Sequence, residues 1–345
     1  MRQRLLIVGN PGVTHIGAHF VTAAKALRLK IKLCDTNAAW DAAWPVTKFN
    51  WWLRGHRPPH LRQFSRHVLR TCESKKPTWI LLTGLAPVER SILEEIGEMD
   101  IVRLLYLTDD PWNPAHKGSW FLQTLPFFER VYSPRRSNLE DLKGIGCNKA
   151  SYLPFAFDPE THFPEQPAEA DKKDPFAHEI VFIGGADADR TPYISALIRE
   201  GFEVGLYGGY WERFSSTRSR ALGHVDPQSM RKIVAESHVA LCLVRRANRD
   251  GHAMRSYELP AMGACMLVED TQEHREILGQ DGDNVVYFST VAEMIGKLRW
   301  LLKHEEERTR LSEAVRAHVI KGRNTYGDRL LSMLQMKSQG KSASN

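Results

Sequence analysis

The chain has 345 residues, 42% hydrophobic and 26% charged, with a formal net charge of +6. These proportions exclude a disordered or fibrous chain, and no apolar run approaches the roughly 20 residues that span a bilayer. The length suits two domains of about 150 residues better than one. A basic chain can meet nucleic acid, an anionic membrane surface or a phosphorylated small molecule. Here the positive charge is spread along the chain rather than gathered in a Lys/Arg tract with stacking aromatics. That argues against nucleic acid and leaves peripheral membrane contact open.

The first residues, Met1-Arg2-Gln3-Arg4 followed by the apolar run 5–8, have the charge order of a secretory signal. The run is too short for one and passes straight into Gly9-Asn10-Pro11-Gly12, so it reads as a first strand of a cytoplasmic protein. Further apolar, β-branched runs at 31–34, 79–82, 102–107 and 131–132 alternate with helix-like stretches at 17–29, 61–74, 87–98 and 136–143. This is the signature of βα units and a parallel sheet whose strands are covered on both faces. Residues 40–59, rich in Trp and Pro, show no periodicity and read as a loop or lid. A polar, proline-punctuated stretch at 166–177 suits a linker. The alternation restarts with strands at 180–183, 204–207, 239–243, 266–268 and 285–288, interleaved with helices at 192–200, 228–236, 255–262, 274–278 and 291–303. Charged amphipathic segments at 305–321 and 326–336 close the chain. The expected domains are 1–165 and 178–322, with 338–345 a disordered tail. No short repeat is present, which excludes a solenoid or propeller. The five cysteines, Cys34, Cys72, Cys147, Cys242 and Cys265, form no C-x-x-C pair and indicate neither disulfides nor zinc.

Three strand ends run into glycine: Gly9 to Gly12, Gly184-Gly185 and Gly208-Gly209. Glycine lets the backbone approach a ligand, and the helix that follows offers unpaired N–H groups to an anion. None has the spacing of a dinucleotide fingerprint or a P-loop, which weakens both a hydride-transferring oxidoreductase and a P-loop ATPase. Two such turns in the second half, with Arg190 six residues beyond Gly184, favour a phosphate site there. The most informative stretch is Asp250-Gly251-His252-Ala253-Met254-Arg255-Ser256-Tyr257-Glu258-Leu259-Pro260-Ala261-Met262-Gly263. Arg255 and Glu258 are three apart and share a helix face. The carboxylate can accept hydrogen bonds from a ribose diol, and the guanidinium can meet a diphosphate; the plain alternative is a surface ion pair. Gly263 reads as the C-cap.

Several passages, in order, carry a family resemblance: Thr108-Asp109-Asp110-Pro111; Tyr152-Leu153-Pro154-Phe155-Ala156-Phe157-Asp158-Pro159; Val181-Phe182-Ile183-Gly184-Gly185 with Arg190; Tyr207-Gly208-Gly209-Tyr210-Trp211; Arg255-Ser256-Tyr257-Glu258 through Gly263; and Asn324-Thr325-Tyr326-Gly327-Asp328-Arg329. Across roughly residues 100–330 the sequence resembles the CgeB-like (spore-maturation type) glycosyltransferases, relatives of the large GT-B retaining family, glycosyltransferase group 1/family 4. The resemblance implies an α/β GT-B fold, two Rossmann-like parallel-sheet domains facing a central cleft, with a last helix, 323–337, crossing back onto the first domain. It implies a nucleotide-diphosphate sugar as substrate, no cofactor beyond it and no metal. Glu258 fits the family's ribose-binding acid; the acid eight places earlier, which lies near the sugar, falls on Asp250 where the family usually has glutamate. The basic diphosphate contact falls on Arg190 or Arg255.

Other candidates keep two readings each. His15, beyond the first strand and next to Gly12, can position an acceptor hydroxyl, move a proton, or merely cap a helix. Asp109 and Asp110 stand at a strand end on the acceptor side; they could hold a metal or simply build a turn. His224 can reach the nucleotide base or belong only to its loop. The expected chemistry is glycosyl transfer, with glycine-turn amides and arginine stabilising the leaving diphosphate. The alternatives are a non-catalytic carbohydrate- or nucleotide-binding protein of cell-surface or spore assembly, and a sugar-nucleotide epimerase or hydrolase on the same fold.

Overall fold

The computed structural model describes residues 4–166 and 176–340. The chain forms two compact units, Met1–Pro154 with Tyr326–Asn345, and Phe155–Thr325.

In the first unit six strands lie parallel in the order β2-β1-β3-β4-β5-β6: β1 (Arg4–Gly9), β2 (Lys30–Asp35), β3 (Trp79–Thr83), β4 (Val102–Tyr106), β5 (Arg130–Ser133) and β6 (Ala150–Tyr152). The central strands are continuous apolar runs because helices cover both faces; Leu5, Leu6, Ile7 and Val8 are at most 1% exposed. The unit's helices are α1 (Ile16–Ala26), α2 (Trp44–Leu53), α3 (Leu61–Lys75), α4 (Arg90–Glu98), the short α5 (Ser119–Leu122) and α6 (Ser137–Gly144). On α3 the residues Leu61, Phe64, Val68 and Cys72 face the core while Arg62, Arg66 and Arg70 face out, the 3.6-residue period of an amphipathic helix. The β1–α1 turn needs its glycine: a Cβ on Gly9 would strike Thr83 Oγ1 and Gly17 Cα.

The last helix, α13 (Tyr326–Gly340), completes this unit by packing on α1. Tyr326 stacks on His19 and meets Phe20 edge-on, each with ring centroids 5.2 Å apart. Pro154 O accepts hydrogen bonds from Tyr106 Oη and Arg329 Nε, both at 3.0 Å.

The second unit carries five parallel strands in the order β11-β10-β9-β7-β8: β7 (Ile180–Ile183), β8 (Val204–Tyr207), β9 (Val239–Cys242), β10 (Met266–Glu269) and β11 (Val286–Phe288). Around them lie α7 (Thr191–Arg199), α8 (Pro227–Glu236), α9 (Arg255–Ala261), α10 (Gln272–Leu278), α11 (Val291–Lys303) and α12 (Glu305–Lys321).

The expected strands and helices form within a few residues of their sequence bounds, with four differences, the first being the four-residue α5, too short to show a period. Residues 40–59, read as a loop, contain α2, whose apolar side chains lack an inward-facing period. β6 was not expected; three residues of mixed polarity give no strand signal. The second unit begins at Phe155 rather than after 165. Of the expected linker 166–177, residues 167–175 lie outside the described residues, as do 341–345 of the expected tail. All five cysteines are buried and free. Burial pushes the Cys72, Cys147 and Cys265 thiols up to about 12, as suits packing residues rather than nucleophiles. Among the described residues no helix is long and apolar enough to cross a membrane.

Candidate functional site

In the second sheet the chain leaves β7, pairs β8 on one side, then crosses to β9 on the other. This is a topological switch point, where open α/β sheets bind ligands outside the carboxyl ends of the strands. Gly184-Gly185 follow β7, Gly208-Gly209 follow β8, and Arg245 follows β9. Gly208 holds φ at 128°, and a Cβ there would fall on the Gly184 carbonyl; glycine is required for the two turns to touch.

Two arginines meet here, and their fates differ. Arg190 is 7% exposed. Its guanidinium donates to Leu243 O (3.1 Å), Val244 O (3.2 Å) and Gly185 O (3.2 Å), tying the ends of β7 and β9 together. Burial first, then the neighbouring Arg245, pull its pKa down. Arg190, expected as one of two candidates for the diphosphate contact, has its guanidinium engaged by these carbonyls and clamps the two strand ends. Arg245, which the sequence did not single out, lies over Gly185, 3.5 Å from where a Cβ would be. It pairs with Asp187 at 3.6 Å, and its side chain is 37% exposed. Asp187 is itself occupied: its Oδ1 accepts the backbone N–H of Asp189 and Arg190 at 3.0 and 2.9 Å. His224 is exposed and rests against Gly209, its Nε2 3.2 Å from where a Cβ would be.

The loop after Arg245 folds back on itself. Arg245 O accepts from the N–H of Asn248 (3.0 Å) and Asp250 (3.2 Å), and Arg249 adopts φ of 51°. This places Asp250 where its charge acts on Arg190. His252 anchors the next turn: its Nε2 accepts the Phe155 N–H (3.2 Å), so Nδ1 carries the proton and donates to Glu273 Oε2 (2.6 Å). Ser256 donates to His274 Nε2 (2.8 Å), while His274 Nδ1 donates to Glu269 O (2.7 Å). Burial drives the His274 pKa down to about 4. These contacts fix the start of α9, and with it Arg255 and Glu258.

Arg255 and Glu258 form the i,i+3 ion pair, but not as a surface pair: the Glu258 side chain is 1% exposed and that of Arg255 28%. Arg255 Nε also donates to Ile183 O (3.1 Å), reaching the end of β7. His162, which no sequence signal pointed to, has Nε2 3.7 Å from Glu258 Oε1. Its Nδ1 accepts the Asp158 N–H (3.0 Å), so the neutral ring turns its proton toward the carboxylate. Helix α9 ends at Ala261 with Met262 as its cap residue, so Gly263, expected as the C-cap, lies one position further on, in the left-handed region at φ of 88°.

In the first unit the equivalent switch point lies between β1 and β3: β1 pairs β3 on one side and β2 on the other. A pocket of about 160 Å³ opens there, lined by Asn10, His15, Thr36, Trp40, Thr83 and Thr108 among others. Gly12 leaves room for the imidazole, since a Cβ would sit 2.7 Å from His15 Cδ2. Burial, then His19, lower the His15 pKa, partly opposed by Asp109; the ring is neutral at neutral pH. Asp109 is half-buried and accepts from Thr108 Oγ1 (3.1 Å). Asp110 is 1% exposed, and its Oδ1 accepts from Trp112 N (3.0 Å) and Asn138 Nδ2 (2.9 Å). Of the two readings of Asp110, these bonds fit the one in which it builds the turn.

Residues 190–335 match the family model described as Glycosyl transferase-like. No curated protein matches the chain. Among solved structures, sucrose-phosphate synthase from Thermosynechococcus elongatus is similar with a TM-score of 0.69 and 11% identity, over 99% of this chain and 100% of that one. Anabaena HepE in complex with UDP and glucose gives 0.60 and 11%, over 97% and 100%. A Listeria monocytogenes protein assigned as a UDP-N-acetylglucosamine 2-epimerase gives 0.58 and 12%, over 100% and 98%. At these identities the likeness is one of fold, two parallel-sheet α/β domains of the GT-B type.

Proposed function

We propose that this chain, a glycosyltransferase of the GT-B type, moves a sugar from a nucleoside-diphosphate donor held by its second unit, with retention of anomeric configuration and without a bound metal. The observation that carries the reading is the half-buried Arg245, which shares the Asp187 carboxylate with Arg190, over the glycine turn at the switch point of the second sheet, in a segment whose sequence is glycosyltransferase-like. A diphosphate fits between this guanidinium and the Gly184-Gly185 and Gly208-Gly209 turns, where glycine permits close approach. As the sugar–phosphate bond breaks, Arg245 stabilises the charge on the departing diphosphate.

Glu258 takes the ribose hydroxyls. Its carboxylate is closed from solvent, so a donor must uncover it, and Arg255 keeps its charge balanced meanwhile. His224 is the candidate neighbour of the base and Asp250 of the transferred sugar. In the first unit the pocket beside His15 receives the acceptor; a neutral imidazole there can accept a hydrogen bond from an acceptor hydroxyl. The narrower CgeB-like assignment rests on the ordered motifs from Thr108 to Arg329.

The test is nucleotide release from a panel of sugar nucleotides, with and without extracts supplying acceptors, for the native chain, Glu258→Gln and Glu258→Ala. Acceptor-dependent release that both variants depress supports the reading. Turnover of donor without any acceptor would mark a hydrolase or epimerase instead. Binding without turnover under every condition would mark the non-catalytic alternative.

A further inference from the structure

We infer that α2 and the basic stretch around it dock this protein on an anionic membrane surface. Helix α2 is built the wrong way round for one that faces water. Its anchored side carries Asn50, 5% exposed with Nδ2 donating to Val46 O (2.9 Å), and Thr47, whose Oγ1 donates to Ala42 O (3.3 Å). Trp51 also turns inward, between Trp40 and His56, with ring centroids 6.0 and 4.5 Å away. The outward side carries Trp44, Val46, Phe49, Trp52 and Leu53, which are 71%, 47%, 54%, 73% and 73% exposed. Single exposed apolar residues are ordinary, but five on one ten-residue helix are a binding surface.

Charge says what kind of surface it meets. From residue 42 to residue 72 there is no aspartate or glutamate, while Lys48, Arg54, Arg57, Arg62, Arg66 and Arg70 all fall in that stretch. Over the whole chain 47 basic residues stand against 41 acidic ones, so this is a local concentration that the overall distribution conceals. Arg57 is paired with Glu89 at 2.8 Å; the other five are exposed. Arg62, Arg66 and Arg70 recur every four residues, along the outer face of α3. Lys48 Nζ lies 5.7 Å from the Trp44 ring centroid, which sets its charge at the edge of the apolar face.

Aromatic and aliphatic side chains set in a basic surround are the composition of a helix that lies in the membrane interface. Tryptophan suits the headgroup level, apolar on its face and polar at its N–H. Each basic side chain near an anionic surface multiplies partition by roughly fivefold. The partner is thus a bilayer carrying anionic lipids, and the inference is independent of which donor the second unit takes.

The experiment is co-sedimentation of the full chain with vesicles of phosphatidylcholine alone or with about one-third phosphatidylglycerol, together with tryptophan emission. Binding to the anionic vesicles, a blue shift, and release by high salt are expected. Phe49→Ser with Trp52→Ser should abolish the blue shift and weaken binding about tenfold or more. Arg62→Glu with Arg66→Glu should remove the preference for phosphatidylglycerol by about 25-fold or more, the product of two fivefold factors. All four side chains are exposed, so unchanged thermal unfolding certifies the fold of each variant. Equal partition into neutral and anionic vesicles would overturn the inference. So would a self-associated protein that the α2 variant disperses while vesicles go unbound, or binding of single-stranded RNA, but not of vesicles, that the arginine variants abolish.

Discussion

Arg190 and Arg245 sit side by side at the switch point of the second sheet, and replacing each with methionine should give opposite results. Arg190→Met removes three hydrogen bonds to the carbonyls of Leu243, Val244 and Gly185. Hydrogen bonds from a charged donor contribute about 1.5–3 kcal/mol each, but three from one group are not additive. A loss of about 3–5 kcal/mol is expected, the upper range for a single substitution, because buried carbonyls are left without donors. Arg245→Met removes one ion pair of a side chain 37% exposed, which contributes about 0–1 kcal/mol. Its cost should fall on binding: losing a charge-assisted contact of about 2–3 kcal/mol weakens nucleoside-diphosphate affinity roughly 30- to 150-fold. Urea unfolding followed by tryptophan fluorescence reads stability, and titration calorimetry with a nucleoside diphosphate reads affinity. If Arg190→Met leaves stability intact and weakens binding, or if Arg245→Met unfolds the unit, the division of labour argued here is wrong.

Gly208→Ala should be far more costly than an ordinary surface glycine substitution. It sets a non-glycine residue at φ of 128° and drives its Cβ into the Gly184 carbonyl; strain of about 1–3 kcal/mol plus the displaced turn should lower both stability and nucleotide affinity, measured as above. Tyr326→Ala should destabilise the first unit by about 3–5 kcal/mol, since its buried ring packs on His19 and Phe20; an unchanged unfolding curve would contradict the role of α13. The buried His274 should make stability fall on acidification. Its folded pKa of about 4 lies below the ordinary 6.5, so between these values the unfolded chain binds the extra proton. Stability is then lost as pH drops from 6.5 toward 4, by about 3 kcal/mol in all. The slope of the urea midpoint in that window should be shallower in His274→Gln, and equal slopes would refute the assignment.

What the sequence conceals and what it discloses follow from burial. Strands such as Ile180–Ile183 are legible because both faces are covered, so every residue is apolar. The spacing of Arg255 and Glu258 announces a shared helix face, yet not that the carboxylate would be 1% exposed. A run of text treats Arg190 and Arg245 alike. Only the path of the backbone decides that the first reaches three carbonyls and the second lies open over Gly185. His162 approaches Glu258 from a distant segment, through the turn that Asp158 builds, and carries no local signature. Helix α2 escaped notice because period-based reading looks for apolar residues facing inward, and here they face out.

A crystal soaked with a nucleoside-diphosphate sugar puts the central claim to its sharpest test. The account predicts pentose hydroxyls on the Glu258 carboxylate and a phosphate oxygen on the Arg245 guanidinium, with Arg190 still bound to Leu243 and Val244. A donor lodged away from the second sheet, or one that leaves Arg245 on Asp187 and Glu258 sealed beside Arg255, would contradict it.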